Sequence, residues 1–143
     1  MRPHTTLIAG IALAFSLVIA LGAVAYVATL SFSESTSMTP GSFAARVLVP
    51  DELEVSNLQE IGSVTGYRYS AADGPKPTIV IATLATAFPR SEIDVRIGAH
   101  FERAGFKLSG ERTVSRANEE LTWSYLPDPT GARLEIALLT YMR

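Results

Sequence analysis

SEIDVRIGAHFERAG, Ser91 to Gly105, decides how the chain is read. Ile93, Ile97, Phe101 and Ala104 recur at helical spacing, three or four residues apart. Ser-Glu-Ile-Asp at the start is close to a capping box, with Asp94 where a Glu or Gln is usual. Gly105 supplies a left-handed stop, and Phe106 is placed to fold back on the last turn. The spacing therefore predicts one helix of about thirteen residues that buries a single face.

What flanks this helix is read as strand. Upstream, Phe43–Val49 is a short apolar run ended by Pro50 and is predicted as a first strand. Asp51–Ile61 is predicted as a short helix, with Asp51 and Glu52 favourable in its first turn. Ser63–Ser70 (SVTGYRYS) alternates, and Thr78–Leu84 (TIVIATL) reads as a strand buried on both faces. Asp73-Gly74-Pro75-Lys76-Pro77 joins these two into a hairpin. Downstream lie three more predicted strands, Lys107–Ser115, Leu121–Leu126 and Arg133–Tyr141. They are separated by turns at Arg116–Glu120 and Pro127–Gly131. In the last strand Leu134, Ile136 and Leu138 share one face. Runs of strands around one packed helix define an α+β domain with a mainly antiparallel sheet.

Towards the N-terminus the character changes. LIAGIALAFSLVIALGAVAYVATL, Leu7 to Leu30, holds no charge. As a helix it would be about 36 Å long, enough to cross a hydrocarbon core of about 30 Å. A signal peptide needs a shorter apolar stretch and a small-x-small cleavage site, and Ala23-Val24-Ala25 provides one. The apolar run continues past Ala25 through Tyr26, Val27, Ala28 and Leu30, which favours a retained transmembrane helix. Arg2 and His4 precede it, whereas Ser31–Phe43 carries no Lys or Arg. The positive-inside rule then places the tail in the cytoplasm and the domain outside, periplasmic in a Gram-negative bacterium. The expected organisation is a cytoplasmic tail over 1–6, a transmembrane helix over 7–30, a Ser/Thr-rich linker over 31–42 and an extracytoplasmic domain over 43–143.

Composition narrows the function. The 143 residues contain no cysteine, so thiolate chemistry, Cys-based metal sites and a lipoprotein anchor are excluded. Beyond the apolar segment 11 basic residues face 14 acidic ones, without a Lys/Arg cluster, which argues against nucleic acid. No phosphate-binding loop, dinucleotide fingerprint or nucleophile elbow is present. No cofactor or metal is expected.

The individual candidates are few. His100 falls inside the apolar face of the helix with Arg96 and Arg103 four before and three after, and reads as a partly buried ring rather than a ligand or base. The acid pairs Asp51/Glu52 and Glu119/Glu120 read as solvated loop charges. Tyr67 with Tyr69, and Trp123 with Tyr125, share faces in their strands; exposed, they would form an aromatic protein-contact surface, and otherwise they pack under the helix. In the apolar segment Ala9, Ala12, Ser16, Ala20 and Ala23 form a stripe of small residues, a face on which another helix can dock closely. Ser16 is placed to donate a hydrogen bond across it.

No pattern identifies an activity. The expectation is a non-catalytic, single-span accessory subunit of a larger membrane complex, respiratory or photosynthetic assemblies being plausible hosts. Its partners would be other membrane-protein subunits and the lipid bilayer. The alternative is a free-standing, membrane-anchored periplasmic binding or assembly module.

Overall fold

Among the described residues the domain is built on a single antiparallel sheet of seven strands, with burial alternating along the longer ones. The computed structural model describes residues 3–31, 35–128 and 133–142. The chain divides into two units, Met1–Phe32 and Ser33–Arg143.

The first unit is helix α1, Pro3–Ser31, 29 residues long. Its onset precedes the apolar run because Pro3 is compatible with a first helical turn. The Ser16 hydroxyl donates to the Ala12 carbonyl at 2.9 Å and Thr29 to the Tyr26 carbonyl at 2.7 Å. These two hydroxyls are thus satisfied by the helix's own backbone.

The second unit contains β1 (Thr36–Met38), α2 (Phe43–Leu48), a 3-10 turn (Asp51–Leu53), α3 (Val55–Leu58), β2 (Ser63–Ser70) and β3 (Thr78–Ala85). There follow α4 (Arg90–Arg103), β4 (Lys107–Gly110), β5 (Thr113–Arg116), β6 (Glu119–Tyr125) and β7 (Arg133–Thr140). The sheet order is β1-β2-β3-β7-β6-β5-β4, with every neighbouring pair antiparallel. β7 enters between the two hairpin systems and joins them into one sheet. Fold class is therefore α+β, as the order of elements implied.

One face of the sheet is closed. Tyr67, Tyr69, Val80, Ala82, Leu84, Val114, Leu121, Trp123, Leu134, Ile136 and Leu138 alternate along their strands and are all buried. Ile93, Ile97 and Phe101 of α4, with Leu53, Leu58 and Ile61 from the segment before β2, are fully buried and complete this core. Ala104 is exposed rather than part of the helix's buried face. The other face stays partly open: Ile79, Ile81 and Thr83 are only half-buried, so β3 is not sealed on both sides as its composition suggested.

Three readings of the sequence are corrected. Phe43–Val49 is not a strand but α2. Ser42 caps it by accepting from the Ala45 amide at 3.2 Å, and Val49 N–H closes it on the Ala45 carbonyl at 3.0 Å. Helix-favouring Ala44, Ala45, Arg46 and Leu48 outweigh the apolar run. Lys107–Ser115 is two strands, because the chain reverses at Glu111 and Arg112 into a tight hairpin, whose pairing shifts register between Leu108 and Gly110. The linker is not only a spacer: Thr36–Met38 pairs with Tyr67–Tyr69 as edge strand β1. Residues 32–34 of that linker, and 129–131 of the turn expected after β6, lie outside the described residues.

Candidate functional site

α4 brings the polar side chains of the domain together at its two ends. Near its start, Asp94 does not cap the helix. Pro89 occupies the N-cap and makes no side-chain bond there. Asp94 Oδ1 instead accepts from Trp123 Nε1 at 2.8 Å and Arg112 Nε at 3.3 Å, and lies 2.8 Å from the Tyr125 hydroxyl. That hydroxyl is also 2.8 Å from the Arg90 carbonyl oxygen. The guanidinium groups of Arg90 and Arg112 lie 4.9 and 5.0 Å from the Tyr125 ring centroid. Partial burial pushes the Asp94 carboxyl up, but the bonds from Trp123, Tyr125 and Arg112, with the Arg112 charge, outweigh it and hold the group below its usual range. Burial first, and then the neighbouring carboxylate, push the Tyr125 hydroxyl up to about 12.

Trp123, Tyr67 and Tyr69 are accordingly buried, and Tyr125 is half-buried. They do not form an exposed contact surface. Tyr67 donates to the Leu53 carbonyl at 2.7 Å, tying β2 to the 3-10 turn. Tyr67, Trp123 and Tyr125 are structural because their hydroxyls and indole N–H find acceptors inside the domain, and Tyr69 is buried in the core.

At the other end of α4 Arg116 gathers three elements. Its Nη2 reaches Glu52 at 2.6 Å and Glu119 at 2.7 Å, and its Nη1 donates to the Ala104 carbonyl at 2.9 Å. Its guanidinium also stacks 4.4 Å from the Phe106 ring centroid. A cation at a helix C-terminus is favourable against the exposed carbonyls. The predicted loop acids Glu52 and Glu119 are therefore ion-paired rather than free in solvent.

Beside Arg116 lies a shallow cleft of about 370 Å³. Asp51, Ser56, Asn57, Glu60, His100 and Arg103 contribute polar groups to it. His100 Nδ1 is 3.9 Å from Glu60 Oε2, too far for a hydrogen bond, while Arg103 Nη2 engages the same oxygen at 2.9 Å. No acid on α4 orients His100, as the spacing implied, but Glu60 approaches it from the segment after α3. Burial, and then the Arg103 charge, lower the His100 pKa against the opposing pull of Glu60. The Arg103 hydrogen bond and charge lower that of Glu60. These shifts favour the neutral imidazole and the ionised carboxylate, and that carboxylate is already shared with a guanidinium. Such an arrangement orders a surface more readily than it relays a proton.

On α1 the small-residue stripe has Ala12, Ser16 and Ala20 exposed and Ala23 half-buried; the side chain of Ala9 lies outside the described residues. The Ser16 hydroxyl donates to the Ala12 carbonyl within α1. Sequence reasoning missed Asp94 and Arg116 as organising residues. The available signal was Trp123, a buried-type donor with a strand-fixed direction that requires an acceptor. Among the described residues no group of three His, Asp or Glu side chains is arranged to hold a metal ion. Compared with known proteins, the chain matches no family model, no curated protein and no solved structure.

Proposed function

We propose that this protein is a single-span membrane protein that acts as a non-catalytic accessory subunit of a larger membrane complex. One observation carries the reading. Within α1, Ile11–Thr29 is 19 residues long and apolar enough to cross a bilayer. A helix in lipid has no hydrophobic drive to associate, so small residues such as Ala12, Ala20 and Ala23 support docking by close packing. Flanking charge supports a domain outside the cytoplasm. The polar groups of the domain support a bracing role: Asp94, Glu52, Glu60 and Glu119 each hold an arginine.

The cleft at His100 favours a second reading, a free-standing anchored module that binds a small polar group. Exchange of Leu7–Leu30 for an unrelated transmembrane helix separates the two. Under the first reading, the tagged native chain copurifies from gently solubilised membranes with a stoichiometric partner, and the exchanged chain does not. Recovery of the native chain as a lone monomer contradicts it.

A further inference from the structure

α2 has two faces of opposite use. Ala44, Ala45 and Val49 are buried against the domain. Phe43 and Val47, one turn apart, remain 53% and 50% exposed. Arg46, three residues after Phe43, is exposed on the same outer side. Val55 at the start of α3 is 46% exposed and lies across a shallow groove of about 450 Å³ from Ala45 and Val49. Elsewhere in the domain Val95 on α4 and Leu108 on β4 are exposed singly, and Tyr141 and Met142 are exposed together after β7. Isolated apolar side chains need no explanation, whereas a cluster on one short helix does.

The chain itself limits what can lie against this face. The apolar window ends at Thr29 and β1 begins at Thr36. Seven residue steps reach at most about 25 Å even when fully extended. Part of that reach, on the order of 5–8 Å, is taken up by the headgroup layer. α2 starts directly after β1, because Ser42 N–H turns back to the Thr39 carbonyl at 3.1 Å with Gly41 at φ +80°. On the anchoring reading this tether limits how far Thr36, and α2 soon after it, can stand from the lipid surface.

We propose that the outer side of α2, Phe43 and Val47, together with Val55 of α3, inserts into the headgroup region of the bilayer, with Arg46 reaching lipid phosphates. This rests on the anchoring reading above. Apolar side chains at such a face favour the interface through buried area, and an adjacent arginine snorkels to the anionic headgroups.

Because the chain lacks cysteine, single probes can be placed without a background. The full chain carrying Val47→Cys, Val55→Cys or, as control, Val95→Cys is labelled with an environment-sensitive fluorophore. Each is reconstituted into phosphatidylethanolamine/phosphatidylglycerol vesicles and recovered by flotation. Labels at 47 and 55 are expected to be quenched by shallow nitroxide lipids and shielded several-fold from aqueous iodide relative to the label at 95. Adding Phe43→Glu to the Val55→Cys chain should abolish the lipid quenching while leaving flotation intact. Flotation with equal iodide access at 47 and 95 overturns this proposal alone. Shielding at 47 without lipid quenching overturns it in favour of a second copy. Failure to float removes the anchoring reading and this proposal together.

Discussion

Asp94 shows how one carboxylate fixes a helix to a sheet. It serves Trp123, Tyr125 and Arg112 from a single turn of α4. Asp94→Ala leaves the indole N–H without its acceptor, and the expected loss is about 2–3 kcal/mol. On a domain of this size that lowers Tm by roughly 10 °C. Emission from Trp123, the sole tryptophan, should shift in the same variant, and Asp94→Asn should lose less. A thermal midpoint unchanged in Asp94→Ala would show that the cluster is ornamental. The Asp94 carboxyl titrates below its ordinary value, so its stabilising contribution is present above about pH 4 and is lost as pH falls through the native pKa. His100 behaves in the same direction for a different reason. Its native pKa lies below 6.5, so the unfolded chain binds the proton more readily. The contribution of a neutral His100 is therefore complete above pH 6.5 and is lost as pH falls through the native value. Thermal midpoints of the full chain between pH 7.5 and 5 should fall less steeply in His100→Gln than in the native protein. Parallel slopes would remove His100 from the acid sensitivity.

Which elements were legible follows from how locally each is determined. α4 was readable because its apolar spacing and Gly105 agree, and Gly105 does adopt φ +89°. β2 and β7 were readable from alternation and β3 from its β-branched apolar run, each bounded by turn residues. α2 was not: six residues with Phe, Val and Leu carry no usable period, and the cap at Ser42 decided the matter. β1 was hidden in a polar linker because an edge strand of three residues draws its stability from the partner strand rather than from its own composition. Asp94 and Arg116 were illegible because their partners lie far along the chain, 29 residues for Trp123 and 64 for Glu52. Two glycines make the distinction measurable. A Cβ on Gly62 would sit 2.5 Å from the Ala85 carbonyl oxygen, where β3 passes the segment before β2. Gly62→Ala should cost about 1–3 kcal/mol through overpacking of that junction. A Cβ on Gly98, within α4, meets nothing within 4 Å. Gly98→Ala should stabilise by about 0.5–1 kcal/mol through helix propensity. Denaturant titration of both variants checks the pair, and equal effects would contradict the close approach at Gly62.

The molecule combines one apolar helix with a domain in which Glu52, Glu60, Asp94 and Glu119 each hold an arginine. The proposed role depends on α1 being retained in lipid, because a soluble domain would have no membrane helices to join. Ala23-Val24-Ala25 offers the competing outcome of processing after Ala25. Intact-mass analysis of the native chain recovered from carbonate-washed membranes tests this most directly. Retention requires a mass that includes Leu7–Leu30, found in the membrane pellet. A product beginning at Tyr26 and released into the aqueous fraction would contradict it.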